Sequence, residues 1–278
     1  GVTGGSATLT TGGGVLNATN VDVTGAANLS SGTGNLTATN VQAGTNATLA
    51  TTTGALNATT IRGGTNAALT TTTGTLTANG VTGGGTVMTT GGGALNASNV
   101  NVTGAATLNS GAGALTATNV TAGTNAALTT TSGALNATGV TGAGIALTTG
   151  SGALTATNLN ATQTVTATSN TGAVNVTTAA AGQSISLATG ATVTLAGAIA
   201  SPRVNVDSAD IAIQTGANVG GAGSQVALAA RPSTNQVTFG GTGQGPGYTL
   251  DAAEANRIQG ASLSLFVPAT GVAANRPA

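Results

Sequence analysis

The sequence predicts an all-β fold, a right-handed parallel β-helix with coils of 19 or 20 residues. Three observations lead to this prediction: a unit that repeats at that spacing, apolar residues that alternate with polar ones inside the unit, and a composition of 4% charged and 1% aromatic residues. Repeats of this length are typical of solenoids. Alternation with a period of two is typical of strands that bury one face.

The repeat opens with Gly-x-Leu-(Asn/Thr)-Ala or a close relative. Its units begin at Gly14, Gly34, Gly54, Gly74, Gly93, Gly113, Gly133, Gly152 and Gly172. The third position of successive units predicts a core ladder of Leu16, Leu36, Leu56, Leu76, Leu95, Leu115, Leu135 and Leu154. Because glycine adopts backbone conformations closed to other residues, we expect the glycine that opens each unit to supply the dihedral angles of a corner.

Stacking is required because one coil has too small an apolar interior to be stable alone. Coils stacked at about 4.8 Å close hydrogen bonds above and below and share one Leu/Val/Ala core. The right-handed sense follows the general preference of parallel connections. At about twenty residues each, the chain would make roughly fourteen coils and span about 65 Å.

A corner is predicted after the first strand of each unit. The same position holds Asn20, Asn40, Asn99, Asn119 and Asn158, and in other units it holds glycine. Since Asn and Gly both tolerate positive φ, we expect a left-handed corner whose stacked amides hydrogen-bond along the axis.

The composition excludes most enzyme chemistry. The sequence contains no His, Cys, Lys or Trp, so it offers no imidazole base, thiolate, amine nucleophile or soft metal ligand. Asp207 with Asp210 and Asp251 with Glu254 are the close carboxylate pairs, and we interpret them as solvated or helix-capping groups. We therefore predict no enzyme activity, no cofactor and no metal site.

Binding to nucleic acid or membrane is not expected either. The formal net charge is zero, and the five arginines are too scattered to form a basic stripe. The charge-free stretch from Gly63 to Pro202 is interrupted by Thr, Asn and Gly, which does not suit a transmembrane helix.

The regular repeat fades near residue 190. We predict a regular shaft over residues 1–190 and a less regular β-helical continuation over 191–278. The continuation would include a short helical turn near 251–258 and a loose tail from Pro268.

The unit Gly-x-Leu-x-Ala-x-x-Val, with its Gly, Thr, Asn and Ala bias, resembles the repeat shafts of filamentous haemagglutinin-like exoproteins from Gly1 to about Gly190. The segment from Tyr248 to Leu263 is similar to the Leu-x-x-x-Glu-x-x-Arg segments that punctuate such shafts. The resemblance implies a β-helical adhesin on the surface of a Gram-negative bacterium or secreted from it. It also implies export of the parent chain through an outer-membrane secretion partner, and a role in adhesion or biofilm formation on a host or neighbouring cell. The amino-terminal secretion domain of that family is absent from this sequence, and autotransporter passengers share the same kind of shaft.

Two further hypotheses concern surfaces. An outward row of Thr19, Thr39, Thr59, Thr118, Thr138 and Thr157 is the type of array that ice-binding β-solenoids present, although Asn alternates with Thr beside it. In addition, open strand edges at the ends of a β-helix favour head-to-tail joining of copies into a filament.

Overall fold

The structure is a computed structural model that describes residues 1–231, 237–240 and 247–267. These residues are almost entirely β, with parallel strands stacked into a β-solenoid of about 11 turns at a spacing of about 20 residues. The predicted parallel β-helix is confirmed. The loose tail expected from Pro268 lies outside the described residues.

The strands follow one another around the coils with one short helix near the end of the described chain. Their bounds are β1 (Val2–Gly4), β2 (Ala7–Thr11), β3 (Leu16–Val23), β4 (Ala27–Ser31), β5 (Leu36–Ala43), β6 (Asn46–Thr51), β7 (Leu56–Thr71), β8 (Leu76–Thr90), β9 (Leu95–Val102), β10 (Ala106–Ser110), β11 (Leu115–Ala122), β12 (Asn125–Thr130), β13 (Leu135–Thr149), β14 (Leu154–Ser169), β15 (Val174–Val176), β16 (Ala179–Ala181), β17 (Ser184–Thr189), β18 (Thr192–Leu195), β19 (Ala198–Ala200), β20 (Arg203–Ser208), β21 (Asp210–Ile213), β22 (Asn218–Val219), β23 (Gln225–Ala230), β24 (Val237–Phe239), β25 (Tyr248–Leu250), α1 (Ala252–Ala255) and β26 (Ser262–Phe266).

Each coil has three faces, which we define on residues 36–51. The first face is 36–39, the second is 41–43, and the third is 47–51. Leu36 and Ala38 point inward from the first face, with Val41 from the second and Leu49 from the third. The period-two alternation thus places one row of each strand in the core and the other in solvent.

The register joins equivalent positions of successive units. Leu36 pairs with Leu16 below it and with Leu56 above it. Leu36 and Leu56 are fully buried, and the rest of the predicted leucine ladder is buried with them except Leu16 in the first coil, which is half-buried. On the first face the ladder continues through Val174 and Val193 to Ile211.

The number of coils is smaller than the sequence length suggested. About 11 turns replace the expected fourteen, so the stack is about 50 Å high at the usual strand spacing. Among the described residues, those after β23 form short strands and a helix instead of further regular coils, which accounts for part of the difference.

The left-handed corner is present in the structure. Asn20, Asn40, Asn99, Asn119 and Asn158 have φ between 53° and 57°, and Gly80 and Gly139 occupy the corner with φ of 71° and 67°. Thr60 occupies it in the remaining coil with φ of 56°. A β-branched residue is disfavoured there because its side chain crowds the backbone.

Replacing Thr60 by Asn is expected to stabilise the solenoid by about 1 kcal/mol, because Asn adopts this conformation at a lower cost than the β-branched Thr. Chemical denaturation of the variant and the parent chain measures the difference. Thr59→Asn, at the neighbouring position, is the control and should have little effect. Equal stability of the Thr60 variant and the parent would contradict the assignment of strain.

The glycines that open the units have a different role from the one predicted. None of those at Gly34, Gly54, Gly74, Gly93, Gly113, Gly133, Gly152 and Gly172 has positive φ. Instead, a Cβ on any of them would lie 2.0–2.1 Å from the carbonyl oxygen of the glycine one coil below. Glycine is needed because the stacked backbones leave no room for a side chain. We call these residues the glycine column.

The boundary near residue 190 stays a prediction. Parallel pairing continues across it from β17 to β20 and from β20 to β23. In the part of the chain that the structure describes, no helix is long and apolar enough to cross a membrane.

Candidate functional site

The outward threonine row lies on the first face. Thr19, Thr39 and Thr59 stack directly on one another, and all three are exposed. Thr118, Thr138 and Thr157 stack in the same way higher in the solenoid, where Thr118 and Thr157 are half-buried. The two groups are separated by Asn79 and Ser98, which occupy the same row. The row therefore continues from coil to coil, but its side chains are Thr, Asn and Ser and not Thr throughout.

The corner asparagines form short hydrogen-bonded runs. The Asn40 side-chain amide donates to Oδ1 of Asn20 at 2.9 Å, and the Asn119 amide donates to Oδ1 of Asn99 at 3.3 Å. Above Asn158 the corner changes, and Oδ1 of Asn158 accepts from the Thr178 hydroxyl at 2.7 Å. Glycine at positions 80 and 139 divides these runs, so the amides stabilise local stacking and do not form one continuous ladder.

A buried row of hydroxyls lies inside the third face, and sequence analysis missed it. Each member lies two positions after the inward residue of its coil that corresponds to Leu29 and Leu49. The row consists of Ser31, Thr51, Thr71, Thr90, Ser110, Thr130, Thr149, Ser169 and Thr189. The Thr51 hydroxyl donates to the Gly54 carbonyl at 2.7 Å, and the Ser110 hydroxyl donates to the Gly113 carbonyl at 2.9 Å. We call this the hydroxyl column. The signal in the sequence was Ser or Thr at a position whose alternation predicts an inward side chain.

The hydroxyl column satisfies the carbonyls of the glycine column. Thr149, for example, donates to the Gly133 carbonyl one coil below at 3.1 Å. Since an unpaired buried carbonyl costs free energy, these hydroxyls stabilise the tight corner between the third and first faces. Their role is structural.

Apart from Asp22 and Arg62, the charged side chains of the described residues lie toward the carboxyl-terminal end. Asp207 forms an ion pair with Arg231. Oδ1 of Asp210 accepts from the backbone N–H of Thr249 at 2.8 Å. Asp251 caps α1 and forms a reciprocal capping box with Glu254. The carboxylates that sequence analysis grouped in pairs thus have structural partners.

Glu254 also binds the edge of the last regular strand on the first face. Its side chain is 5% exposed, and Oε1 accepts from the N–H of Ile213 at 3.0 Å while Oε2 accepts from the N–H of Asp251 at 3.0 Å. Arg257 donates to the Ile213 carbonyl. These side chains take the place of a further strand above β21, so the edge of β21 is covered.

Tyr248 is buried beside these carboxylates. It is 1% exposed, and among the described residues its hydroxyl has no hydrogen-bond partner. Burial raises the pKa of the phenol well above its usual range, and the negative charges of Asp210, Glu254 and Asp207 raise it further.

The tyrosine makes the stability of the chain sensitive to alkali. Below about pH 10 the phenol is protonated in both the folded and the unfolded chain and has no effect. Above that pH the unfolded chain loses the proton and the folded chain keeps it. Stability should therefore fall by about 1 kcal/mol for each pH unit as pH rises toward the folded pKa.

Tyr248→Phe should remove this loss. Denaturation at about pH 8 and about pH 11 measures it in both chains. Tyr248 is the only tyrosine of the sequence, so its absorbance titration reports the folded pKa directly. An ordinary titration midpoint in the folded chain would contradict the predicted shift.

The described residues contain no group of three or more His, Cys, Asp or Glu side chains that could hold a metal ion. A groove of about 440 Å³ lies on the second face beside Arg62 and is lined by Gly63, Gly64, Gly83, Gly84 and neighbouring polar residues. Between Arg62 and Arg203 the outward side chains are mainly Thr, Asn, Ser and Ala, which present hydroxyl, amide and methyl groups.

Comparison with known proteins adds one match. Residues 86–193 match the family model described as Toastrack DUF4097. The matched segment extends from β8 into β18 and lies within the regular coils. No curated protein and no solved structure matches the chain. The match and the fold together indicate a structural β-solenoid repeat protein.

Proposed function

We propose that this chain is a non-enzymatic shaft of an extracellular bacterial surface protein, giving reach and stiffness to an adhesin. The observation that carries the proposal is the unbroken register of the first-face ladder from Leu16 to Ile211. A stack in which every coil contacts its neighbours through three hydrogen-bonded faces resists bending, and its length is set by the number of coils.

The chemistry of the faces supports an adhesive role. Between Arg62 and Arg203 the sequence has no charged residue, so the outward side chains offer hydroxyl and amide groups to a neutral polar partner. Such a surface suits contact with a host cell or a neighbouring cell through many weak hydrogen bonds. The resemblance to haemagglutinin-like exoproteins favours a Gram-negative source and export of the parent chain by a secretion partner.

The shaft is tested by removing whole coils. Deletion of residues 94–133 joins Gly93 to Ala134 and removes two complete units, so the chain should fold and become about 10 Å shorter. Deletion of residues 94–123 is the control, because it removes one and a half units and breaks the register. Small-angle X-ray scattering measures the length and circular dichroism measures folding. The proposal fails if both deletions fold equally well or if the first leaves the length unchanged.

Adhesion is tested with beads coated with the whole chain. We expect more beads to be retained on fixed epithelial cells or on bacterial cells than beads coated with the heat-unfolded chain. Retention equal to that of the unfolded control on both surfaces would reject the adhesive role and leave the shaft intact.

Ice binding is the second candidate because Thr19, Thr39 and Thr59 form an exposed stack. The mixed row beside it, with Asn17, Thr37 and Asn57, spoils the regular array. We expect no thermal hysteresis at high protein concentration. Hysteresis that is lost in Thr39→Lys but kept in Thr129→Lys, on the third face, would establish this second function.

A further inference from the structure

One outward row of the first face alternates strictly between asparagine and threonine. Its members lie directly over one another in successive coils, and we call them the alternating row. From the first coil upward they are Asn17, Thr37, Asn57, Thr77, Asn96, Thr116, Asn136, Thr155, Asn175 and Thr194. The same residue type therefore returns at every second coil, a spacing of about 9.6 Å.

Copying of longer blocks does not explain the alternation. The segment GVTGGSATLTTGG at the start of the chain returns in closely similar form at Gly80 and Gly139. The residues sixteen positions after the three starts are Asn17, Asn96 and Thr155. A faithful third copy would place asparagine at that position, directly above an asparagine of the coil below. Threonine keeps the alternation across the block boundary, which indicates that the two-coil period itself is required.

The amides of the alternating row are available to a ligand. Asn17, Asn57, Asn96 and Asn136 are exposed, and Asn175 is half-buried. Within the described residues their side chains form no hydrogen bond, whereas the corner asparagines bond to one another. Asparagine is depleted in strands, and none of these five has the positive φ that accounts for asparagine at the corner. The intervening threonines keep the amides two coils apart, so the amides cannot pair with each other.

The two-coil period fits an extended β-1,4-linked sugar chain. Successive sugars of such a chain are rotated by half a turn, and each sugar is close in length to the spacing between coils. A chain that lies along the solenoid axis would place one sugar over each coil. It would turn the same edge of the sugar toward the row at every second coil.

The side chains of the row favour N-acetylglucosamine as that sugar. Along one edge of its polymer, an acetamido group on one sugar is followed by a hydroxymethyl group on the next. An asparagine amide can donate to the acetamido carbonyl and accept from its N–H, and a threonine hydroxyl can bond to the hydroxymethyl group. A glucose polymer has only hydroxyl groups on that edge and gives no reason for an amide at every second coil. Most of the row lies between Arg62 and Arg203, where the absence of charge suits a neutral polymer.

We infer that the alternating row is a binding site for a chain of β-1,4-linked N-acetylglucosamine, which lies along the solenoid with its acetamido groups on the asparagines. Each contact is weak, but the contacts are fixed on one stiff ligand and one stiff protein, so affinity increases with the number of coils engaged. This inference names the ligand class for the adhesive role proposed above and rests on that role.

The first test compares retention of the whole chain on chitin powder and on cellulose powder. We expect binding to chitin to be at least about 10-fold tighter, because cellulose lacks the acetamido groups. Equal binding to both powders, or no binding to chitin, would overturn the inference. Retention of the coated beads on cells would in that case still support the adhesive role, so the two proposals can fail separately.

The second test removes amides from the row. The combined variant Asn57→Thr, Asn96→Thr and Asn136→Thr should bind chitin about 10-fold more weakly than the parent chain. Since threonine favours strands, this variant should fold at least as well as the parent, and thermal unfolding checks that it does.

The matched control makes the same three changes on the other two faces. It combines Asn28→Thr on the third face with Asn101→Thr and Asn160→Thr on the second, all at exposed positions. We expect the control to bind chitin like the parent. An equal loss of binding in both triple variants would contradict a site on the first face.

A third variant separates the spacing of the amides from their number. Thr77→Asn combined with Thr116→Asn makes the row continuous asparagine from Asn57 to Asn136, so that neighbouring amides can pair with each other. The two-coil period is then lost, and we expect weaker binding to chitin than in the parent although the row has more amides. Tighter binding would show that the spacing has no role and would overturn the inference.

Discussion

Gly93→Ala is expected to destabilise the chain by about 3 kcal/mol, whereas Gly92→Ala should be nearly neutral. A Cβ at Gly93 would lie 2.1 Å from the Gly74 carbonyl oxygen and 2.5 Å from its carbon, both of them backbone atoms. A Cβ at Gly92 would meet its nearest atom at 3.8 Å. The first substitution must force two coils apart, and the second adds a methyl group in open space.

The pair is informative because the two glycines are adjacent and neither has positive φ. Both substitutions reduce the freedom of the unfolded chain equally, so that contribution cancels in the comparison. Chemical denaturation measures the two free energies of unfolding. Similar values for the two variants would show that the glycine column is not required for stacking.

Glu254→Ala is expected to open the carboxyl-terminal end at a cost of about 3 kcal/mol. The substitution leaves the N–H of Ile213 without its acceptor in a buried position and removes the capping box of α1. Hydrogen bonds to charged acceptors are among the stronger ones in proteins. Hydrogen exchange should therefore accelerate at Ile213 and Val219. The amides of the middle coils should change little, because each coil contacts only its immediate neighbours and these coils are far from α1.

Asp22→Ala is the control for the loss of a carboxylate, since Asp22 is exposed on the second face far from α1. Glu254→Gln should have an intermediate effect, because an amide offers one acceptor oxygen where the carboxylate offers two. Unchanged exchange at Ile213 in Glu254→Ala would show that the carboxylate does not protect the edge of β21.

The repeat allowed the structure of the coil to be predicted from the sequence alone. The spacing of Leu36 and Leu56 predicted that they stack, and the structure pairs them. The Asn or Gly position at Asn40 and Gly80 likewise predicted the left-handed corner. These predictions succeeded because the same physical requirement recurs from unit to unit. A residue type that returns at the same position of the repeat can be distinguished from the general bias of the composition.

Features that depend on close approach between coils could not be predicted in the same way. The opening glycines were interpreted through their dihedral angles, although the contact that selects them involves a carbonyl twenty residues away. The hydroxyl column escaped notice because Ser and Thr at positions such as Ser110 resemble surface residues. The second role of Glu254 was hidden because its acceptor contact with Ile213 spans 41 residues.

The absence of charge between Arg62 and Arg203 has a consequence for how these coils respond to salt and pH. No side chain in those coils changes protonation, and no ion pair there can be screened by salt. The electrostatic part of their stability should be the same at low and high ionic strength and in moderately acidic solution, and responses to such changes should arise from carboxylates outside these coils, most of which lie at the carboxyl-terminal end. The coils between Arg62 and Arg203 therefore contribute no electrostatic term to the response of the solenoid to salt or pH.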